Sequence, residues 1–174
     1  VHTGLATVEE FLKLPEPEEG HHELHHGEVV LVPPPKRGHQ RIQRRVPMLS
    51  AKLAGERAVV EMEMVFRPTP ENEVWQADVG YVSSERDDAT ADDEYLAGSP
   101  DLVVEVLSPS NTVDEINDKM SLCMTTGCSS FWVVDPKRQR VSVTEGDVTK
   151  HYGVSGSISC SLFEGAVPVE EIFR

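Results

Sequence analysis

Residues 99–111 read "SPDLVVEVLSPSN", and within them residues 102–107 are apolar except for Glu105. The run is rich in β-branched residues and lies between two prolines, which predicts a buried β-strand. Because side chains alternate across a strand, Glu105 shares a face with Val103 and Leu107. A buried carboxylate is costly unless a partner offsets its charge. The sequence therefore predicts a cation, a proton or a basic side chain next to Glu105.

Asp78 is the acid best placed to share such a partner. It lies in "WQADVGYV", residues 75–82, which predicts a strand that can neighbour the one containing Glu105. Two carboxylates at that distance repel each other, and a divalent cation between them would offset the repulsion. The alternative is that backbone amides or an arginine hold Glu105.

Lys119 is a third candidate, fourteen residues after Glu105 on the next predicted helix. That helix begins with a capping box formed by Thr112 and Glu115. A strand–loop–helix return can bring Lys119 back over the end of the strand. The alternative is an exposed i,i+4 pair with Glu115, which contributes only a few tenths of a kcal/mol.

The rest of the chain predicts one domain, residues 1–174, of the α/β or α+β class, with a central mixed sheet flanked by helices. Residues 39–53 have the apolar spacing of an amphipathic helix, with Pro47 expected to kink it. Residues 60–66 alternate like a half-buried strand, with Val60, Met62, Met64 and Phe66 on one face. Residues 140–153 predict a C-terminal hairpin.

A histidine-rich stretch, residues 22–26, matches the His-Glu-x-x-His pattern of zinc proteases. That chemistry needs both histidines on one face of a helix, whereas this stretch precedes a predicted turn at His26-Gly27 and a strand-like "EVVLV". We therefore expect a strand and turn here. The three cysteines lack Cys-x-x-Cys spacing, so neither a zinc site nor a disulfide framework is expected.

The net charge of −14 argues against a general nucleic-acid binder. The charge is uneven, because seven of the sixteen basic residues lie between Lys36 and Arg57 with one acid among them. The acids gather in residues 85–94, predicted to be a solvated loop. No apolar run approaches the roughly 20 residues of a membrane span, and the N-terminus lacks a signal-peptide pattern. We expect a soluble, cytoplasmic protein.

Several segments, taken in order, resemble the Uma-type restriction endonuclease family: "HELHHGEVVLVPPP", His39, "QADVGYV", "SPDLVVEVLSPSN", Lys119 and "GCSSFWVVDP". The most specific part is "PDLVVEVLSPS" followed by "DK" and "FWVVDP". The resemblance extends from about residue 7 to about residue 173. It implies the PD-(D/E)XK, restriction-endonuclease-like fold and a phosphodiesterase site that depends on Mg²⁺ or Mn²⁺.

The resemblance also implies site residues. Asp78 matches the motif aspartate and Glu105 the (D/E), and with the Val106 carbonyl they would bind the metal. Leu107 occupies the usual lysine position, and Lys119 matches a lysine displaced to the following helix.

Two other positions match less specific parts of the family pattern. Glu23 and Glu28 match opening glutamates, of which we favour Glu23 as a helper carboxylate. Departures from the family pattern occur at Ala77, Cys123 and Pro47.

The function expected from this resemblance is Mg²⁺-dependent hydrolysis of DNA by an endodeoxyribonuclease, with a homodimer left open. The residues expected to contact DNA are Lys36, Arg37, His39, Arg41, Arg44 and Arg45. One alternative is a catalytically weak or inactive module on the same fold that binds nucleic acid or protein. Another is a structural dimeric protein in which Glu105 is only salt-bridged.

Overall fold

The computed structural model describes residues 5–174. The predicted single domain, residues 1–174, includes residues 1–4, which lie outside the described residues, and it stays a prediction. Along the chain the elements are α1 (Val8–Phe11), β1 (His21–His25), β2 (Glu28–Val32), α2 (Arg37–Ala54), β3 (Ala58–Arg67), β4 (Trp75–Ser83), α3 (Ser84–Asp88), β5 (Leu96–Ala97), β6 (Leu102–Val106), α4 (Val113–Thr125), β7 (Ser130–Asp135), β8 (Arg140–Glu145), β9 (Val148–Tyr152), β10 (Ser157–Ile158), β11 (Val167–Pro168) and α5 (Val169–Phe173).

A seven-stranded sheet with the order β5-β3-β4-β6-β7-β8-β9 forms the centre of the fold. It is mixed, because β6 pairs in parallel with β7 and antiparallel with β4. Helix α2 packs on one face through Ile42 and Val46, and α4 packs on the other through Cys123. The predicted mixed sheet flanked by helices is confirmed, as is the C-terminal hairpin, formed by β8 and β9.

Strand β6 is the predicted carboxylate-bearing strand, and all five of its residues are buried. The turn that follows leads into α4, whose first turn has the predicted capping box: Thr112 accepts a hydrogen bond from the Glu115 backbone, and Glu115 accepts one from the Thr112 backbone. The chain from β6 through α4 to β7 is thus a parallel crossover that carries residue 119 back over the sheet.

Strands β1 and β2 form a separate hairpin outside the main sheet. Its two turn residues, His26 and Gly27, have φ values of 52° and 82°, the positive values that a type I′ turn requires. Leu24 bridges to Val74 and so attaches the hairpin to the start of β4. The His-Glu-x-x-His pattern therefore lies on a strand and turn, as expected.

The prediction that Val60, Met62, Met64 and Phe66 share one face of β3 is wrong. Val60 packs on the α2 side of the sheet, whereas Met64 and Phe66 belong to the core on the α4 side, and Met62 is exposed. Glu63, with φ of 56°, interrupts the alternation between them. The alternation of apolar and polar residues does not reveal this change of face, because each half of the strand still alternates.

Two predicted boundaries also differ. Helix α2 begins at Arg37, two residues before the predicted start, and is continuous through Pro47. The acidic stretch at residues 85–94 begins within the short helix α3. Over residues 5–174, no helix has both the length and the apolar character needed to cross a membrane.

Candidate active site

Asp78 on β4 and Glu105 on β6 lie on neighbouring antiparallel strands, as the sequence predicts. The register pairs Val79 with Val104, so extending it by one residue places Asp78 opposite Glu105. The backbone N–H of Val106 donates to Asp78 Oδ2 at 2.6 Å. Pairing of the two strands therefore makes the two predicted acids neighbours in the sheet.

Helix α2 supplies two further partners of Asp78. His39 Nε2 lies 2.8 Å from Asp78 Oδ1, and the Gln43 amide donates to the same oxygen at 2.8 Å. The carboxylate can only accept, so His39 carries its proton on Nε2. Burial works to lower the pKa of His39, but the hydrogen bond and charge of Asp78 outweigh it and raise that pKa. His39 was predicted to contact DNA; the structure places it against Asp78, and its DNA contact stays a prediction.

Gln43 was missed by the sequence analysis. The sequence feature that could have identified Gln43 is its position, four residues after His39 and next to the core residue Ile42. This position places it on the sheet-facing side of the helix.

Lys119 lies inside the protein, not on the helix surface. Its Nζ is 2.8 Å from Glu105 Oε1, donates to the Gln76 carbonyl at 2.6 Å and lies 5.7 Å from the centroid of the Trp75 ring. Glu115 is engaged in the capping box. The ammonium thus reaches Glu105, which is the geometric requirement for the predicted catalytic role; the role itself stays a prediction.

The Glu105 carboxylate is incompletely satisfied. Although Oε1 is in charge contact with Lys119, it makes no hydrogen bond of acceptable angle and is buried. Burial raises the pKa of Glu105, the Lys119 charge lowers it and the Asp78 charge raises it again, with a result of about 7. The pKa of Lys119 is also raised: burial opposes its charge, but the charges of Glu105 and Glu23 outweigh burial.

Glu23 on β1 is a third acid of this cluster and is 5 % exposed. Its Oε1 and Oε2 lie 3.1 Å and 2.6 Å from the Nε2 atoms of His21 and His25. Burial works to raise the pKa of Glu23, but the Lys119 charge and the two histidine hydrogen bonds bring it well below its usual range. Glu28, the other glutamate considered, is exposed at the start of β2. The structure therefore brings Glu23, and not Glu28, towards Lys119.

A set of contacts around Trp75 and Glu73, beside the site, was not predicted from the sequence. The His25 ring stacks on Trp75, with centroids 4.2 Å apart. Glu73 accepts from the Trp75 indole at 2.5 Å and from the His26 backbone at 3.0 Å, and the His26 ring lies between Glu73 and Asp118. Apart from the Glu73–Trp75 bond, these contacts join residues distant in sequence, so no local pattern could reveal them.

The donors at this place suit a hard divalent cation, which prefers oxygen ligands. Asp78 and Glu105 supply carboxylates, and the buried Glu105 Oε1 has the Lys119 ammonium 2.8 Å away. The Val106 N–H points to Asp78, and the N–H and C=O of one strand residue point to the same side, so the Val106 carbonyl faces this place too. Within residues 5–174, no three His, Cys, Asp or Glu side chains converge on a metal position, so backbone oxygens and water would have to complete the coordination.

Apart from His39, the predicted DNA-contacting residues lie mainly on the outer side of α2. Because each residue turns the helix by about 100°, Arg37, Arg41 and Arg44 lie opposite the core residues Ile42 and Val46, away from the sheet, and Arg45 lies at the flank. The exposed members are Lys36, Arg37, Arg41 and Arg44, and Arg45 is partly buried. We call these five residues the basic row; it runs alongside His39 and Gln43, which bond Asp78.

The chain is similar to a known protein family and to a solved structure. Residues 8–165 match the family described as "Uma2: Putative restriction endonuclease". Among solved structures, the fold is similar to one described as "a putative nuclease belonging to DUF820 from Anabaena variabilis ATCC 29413", with a TM-score of 0.81 and 22 % identity over 96 % of this chain and 97 % of that chain. No curated protein matches the sequence. The likeness confirms the predicted nuclease fold.

The raised pKa of Glu105 predicts a pH-dependent effect of Glu105→Gln in chelator-treated protein. Because the folded-state pKa of about 7 exceeds the ordinary value of 4.5, stability from this group is present below pH 4.5 and lost as pH rises through 7. Glutamine keeps the shape and cannot ionise. From about pH 5 to about pH 8, the free energy of unfolding of the variant relative to wild type should therefore rise by about 1–3 kcal/mol.

Urea unfolding at several pH values measures this difference, with Glu61→Gln on the exposed part of β3 as the control. A difference that stays constant with pH would show that Glu105 is ionised throughout the range.

Proposed function

The chain belongs to the Uma2 family, described as "Putative restriction endonuclease", and from this we propose that it hydrolyses phosphodiester bonds in DNA as an endonuclease that depends on Mg²⁺ or Mn²⁺. One observation carries the proposal. Glu105 lies in the most buried strand of the sheet, next to Asp78, and the Lys119 ammonium, 2.8 Å from its buried Oε1, is its counter-charge. Such an arrangement is costly for stability alone and suits a site that receives a cation.

Asp78, Glu105 and the Val106 carbonyl would hold the ion. When bound, it would supply Lewis-acid chemistry, lowering the pKa of a coordinated water and offsetting charge on the phosphoryl group. His39 and Gln43 both donate to Asp78 Oδ1 and so hold the Asp78 carboxylate in one orientation. A fixed carboxylate orientation is what precise metal geometry requires.

Lys119 acts in this proposal as a permanent positive charge. Its raised pKa keeps it protonated near neutral pH, which makes it unsuited to act as a general base. Its ammonium is held by Glu105 and the Gln76 carbonyl, so it meets developing negative charge without reorganising. Glu23 lies on the other side of this charge and balances it, which is the helper role that we assign to it.

DNA is proposed to dock along the basic row, despite the net charge of −14. Phosphate affinity depends on local arginines and lysines, and the acidic stretch of residues 85–94 begins beside Glu56, just after the C-terminal end of α2. The basic row lies along the helix whose His39 and Gln43 bond Asp78, so it would hold the phosphate backbone beside the site.

A second candidate function is a module on the same fold that binds nucleic acid or protein without cleavage. One observation favours it: both oxygens of Asp78 already accept hydrogen bonds, from His39, Gln43 and the Val106 backbone. An ion must compete with these donors. Binding of DNA or metal without any cleavage would support this candidate over the nuclease.

The metal proposal predicts that Asp78→Ala and Glu105→Ala each abolish Mn²⁺ binding and DNA cleavage, because each removes one of two carboxylate ligands. Isothermal calorimetry and cleavage of a supercoiled plasmid measure the two effects. Asp101→Asn is the matched control, because Asp101 is on the same segment but bonds Arg86 instead. Equal Mn²⁺ affinity in wild type and both alanine variants would refute the site.

Lys119→Met should lower the cleavage rate by roughly 10²-fold while Mn²⁺ affinity is retained or increased, because lysine is not a ligand and its charge opposes the cation. The variant should also lose stability above about pH 7, where Glu105 is left buried and unpaired. Single-turnover cleavage at saturating Mn²⁺ gives the rate, with exposed Lys150→Met on β9 as the control. Wild-type cleavage by Lys119→Met would exclude Lys119 from the mechanism.

The triple variant Arg41→Ala, Arg44→Ala, Arg45→Ala should bind duplex DNA more weakly, because the basic row would then neutralise fewer phosphates. The slope of log affinity against log salt should fall by about one for each phosphate that is no longer neutralised. A fluorescence anisotropy titration at several salt concentrations measures the slope.

The control removes three charges at the opposite edge of the sheet, Lys137, Arg140 and Lys150, all exposed. If both triple variants change the slope equally, the effect is one of net charge and the basic row is not the docking surface.

A further inference from the structure

The β1–β2 hairpin is attached to the rest of the fold by a few backbone bonds and by the buried Leu24 side chain, which packs with Val8, Phe11 and Val74. It shares no ladder with the seven-stranded sheet, and its backbone connection to β4 is the pair of hydrogen bonds between Leu24 and Val74, at 2.8 and 3.0 Å. A further backbone bond runs from Gly27 to Asn72 at 3.0 Å. Yet this hairpin carries Glu23, which reaches the buried charge cluster. Contacts at the hairpin tip can therefore affect where Glu23 lies.

His26, at the tip of the hairpin, makes two further side-chain contacts, in addition to the packing of Leu24 and the stacking of His25 on Trp75. Its Nδ1 lies 2.8 Å from Glu73 Oε1, and its Nε2 lies 2.8 Å from Asp118 Oδ2. Each carboxylate can only accept, so the ring that satisfies both carries a proton on each nitrogen. Glu73 is buried and fixed by the Trp75 indole, whereas Asp118 reaches in from the surface of α4.

Helix α4 therefore meets the hairpin at two consecutive residues. Asp118 binds His26, and the next residue, Lys119, faces Glu23, whose pKa its charge lowers. Glu23 and His26 are three residues apart on the hairpin. The same turn of α4 thus meets both the hairpin tip and the carboxylate, and breaking the interaction at one of them should affect the other.

We propose that His26, Glu73 and Asp118 form a clasp that positions Glu23 beside Lys119, so that His26 and Asp118 are positioning residues of the site. The value of this position for catalysis rests on the proposed nuclease function. The clasp itself is a property of the metal-free protein and can be measured without cleavage.

The charges around His26 agree with this role. Glu73, from the segment before β4, and Asp118, from α4, are the charged groups whose contacts with its ring the structure shows, and the edge of Trp75 lies 6.1 Å away. The hydrogen bond to Asp118 raises the pKa of His26, burial opposes it, and the Glu73 charge raises it further. The clasp should therefore weaken as pH rises through this raised value.

His26→Asn tests the clasp without disturbing the turn. His26 has φ of 52°, and asparagine followed by glycine is a favoured type I′ pair, so the hairpin itself should persist. The Leu24 amide bonds Val74 and reports docking, whereas the Val30 amide, opposite Glu23, reports the hairpin alone. Native-state hydrogen exchange by NMR, in chelator at about pH 6, follows both amides.

In His26→Asn and in Asp118→Asn, exchange at Leu24 should accelerate by about 10-fold while Val30 changes by less than about 2-fold. The buried Lys119 ammonium resonance should shift in both variants, and also in Glu23→Gln. Asp114→Asn, an exposed acid at the start of the same helix, should leave all three signals unchanged.

Unchanged Leu24 exchange and an unchanged Lys119 resonance in both clasp variants would overturn the inference. Equal acceleration of Leu24 and Val30 would overturn it too, because the hairpin would then be unfolding and not undocking. If the clasp signals respond but the wild-type protein neither binds Mn²⁺ nor cuts DNA, the clasp stands and the nuclease proposal fails.

Discussion

The contact between Glu105 and Lys119 is the interaction on which the rest of this structure depends. A charged carboxylate in the middle of β6 would oppose folding. The ammonium of Lys119, on helix α4, offsets its charge. To deliver that ammonium, α4 must return over β6 in a parallel crossover, and its capping box fixes where it starts. The pair thus links the sheet to one helical layer through charge as well as through apolar packing.

The balance of charge around this pair explains why the site suits a cation. Two carboxylates, those of Glu105 and Glu23, raise the pKa of Lys119, while Asp78 acts on Glu105 and is itself held by His39 and Gln43 from α2. Burial and the Asp78 charge bring the pKa of Glu105 to about 7. A proton on Glu105 relieves this crowding of negative charge, and the proposed metal ion would do the same.

Local patterns in the sequence predict the framework and part of the site. The apolar run around Glu105, the capping box of α4 and the turn at His26 each depend on neighbours within a few residues. The pairing of Lys119 with Glu23, the clasp of His26, and the Gln43–Asp78 bond join residues distant in sequence, so no periodicity records them. The face switch at Glu63 was missed because it is a single backbone conformation between two regular half-strands.

The most direct test of the account is anomalous diffraction from crystals soaked in MnCl₂. The account predicts a peak between the carboxylates of Asp78 and Glu105, within ligand distance of the Val106 carbonyl, and no such peak in Glu105→Gln crystals treated identically. A fully occupied peak elsewhere in the protein with none at this place would contradict it.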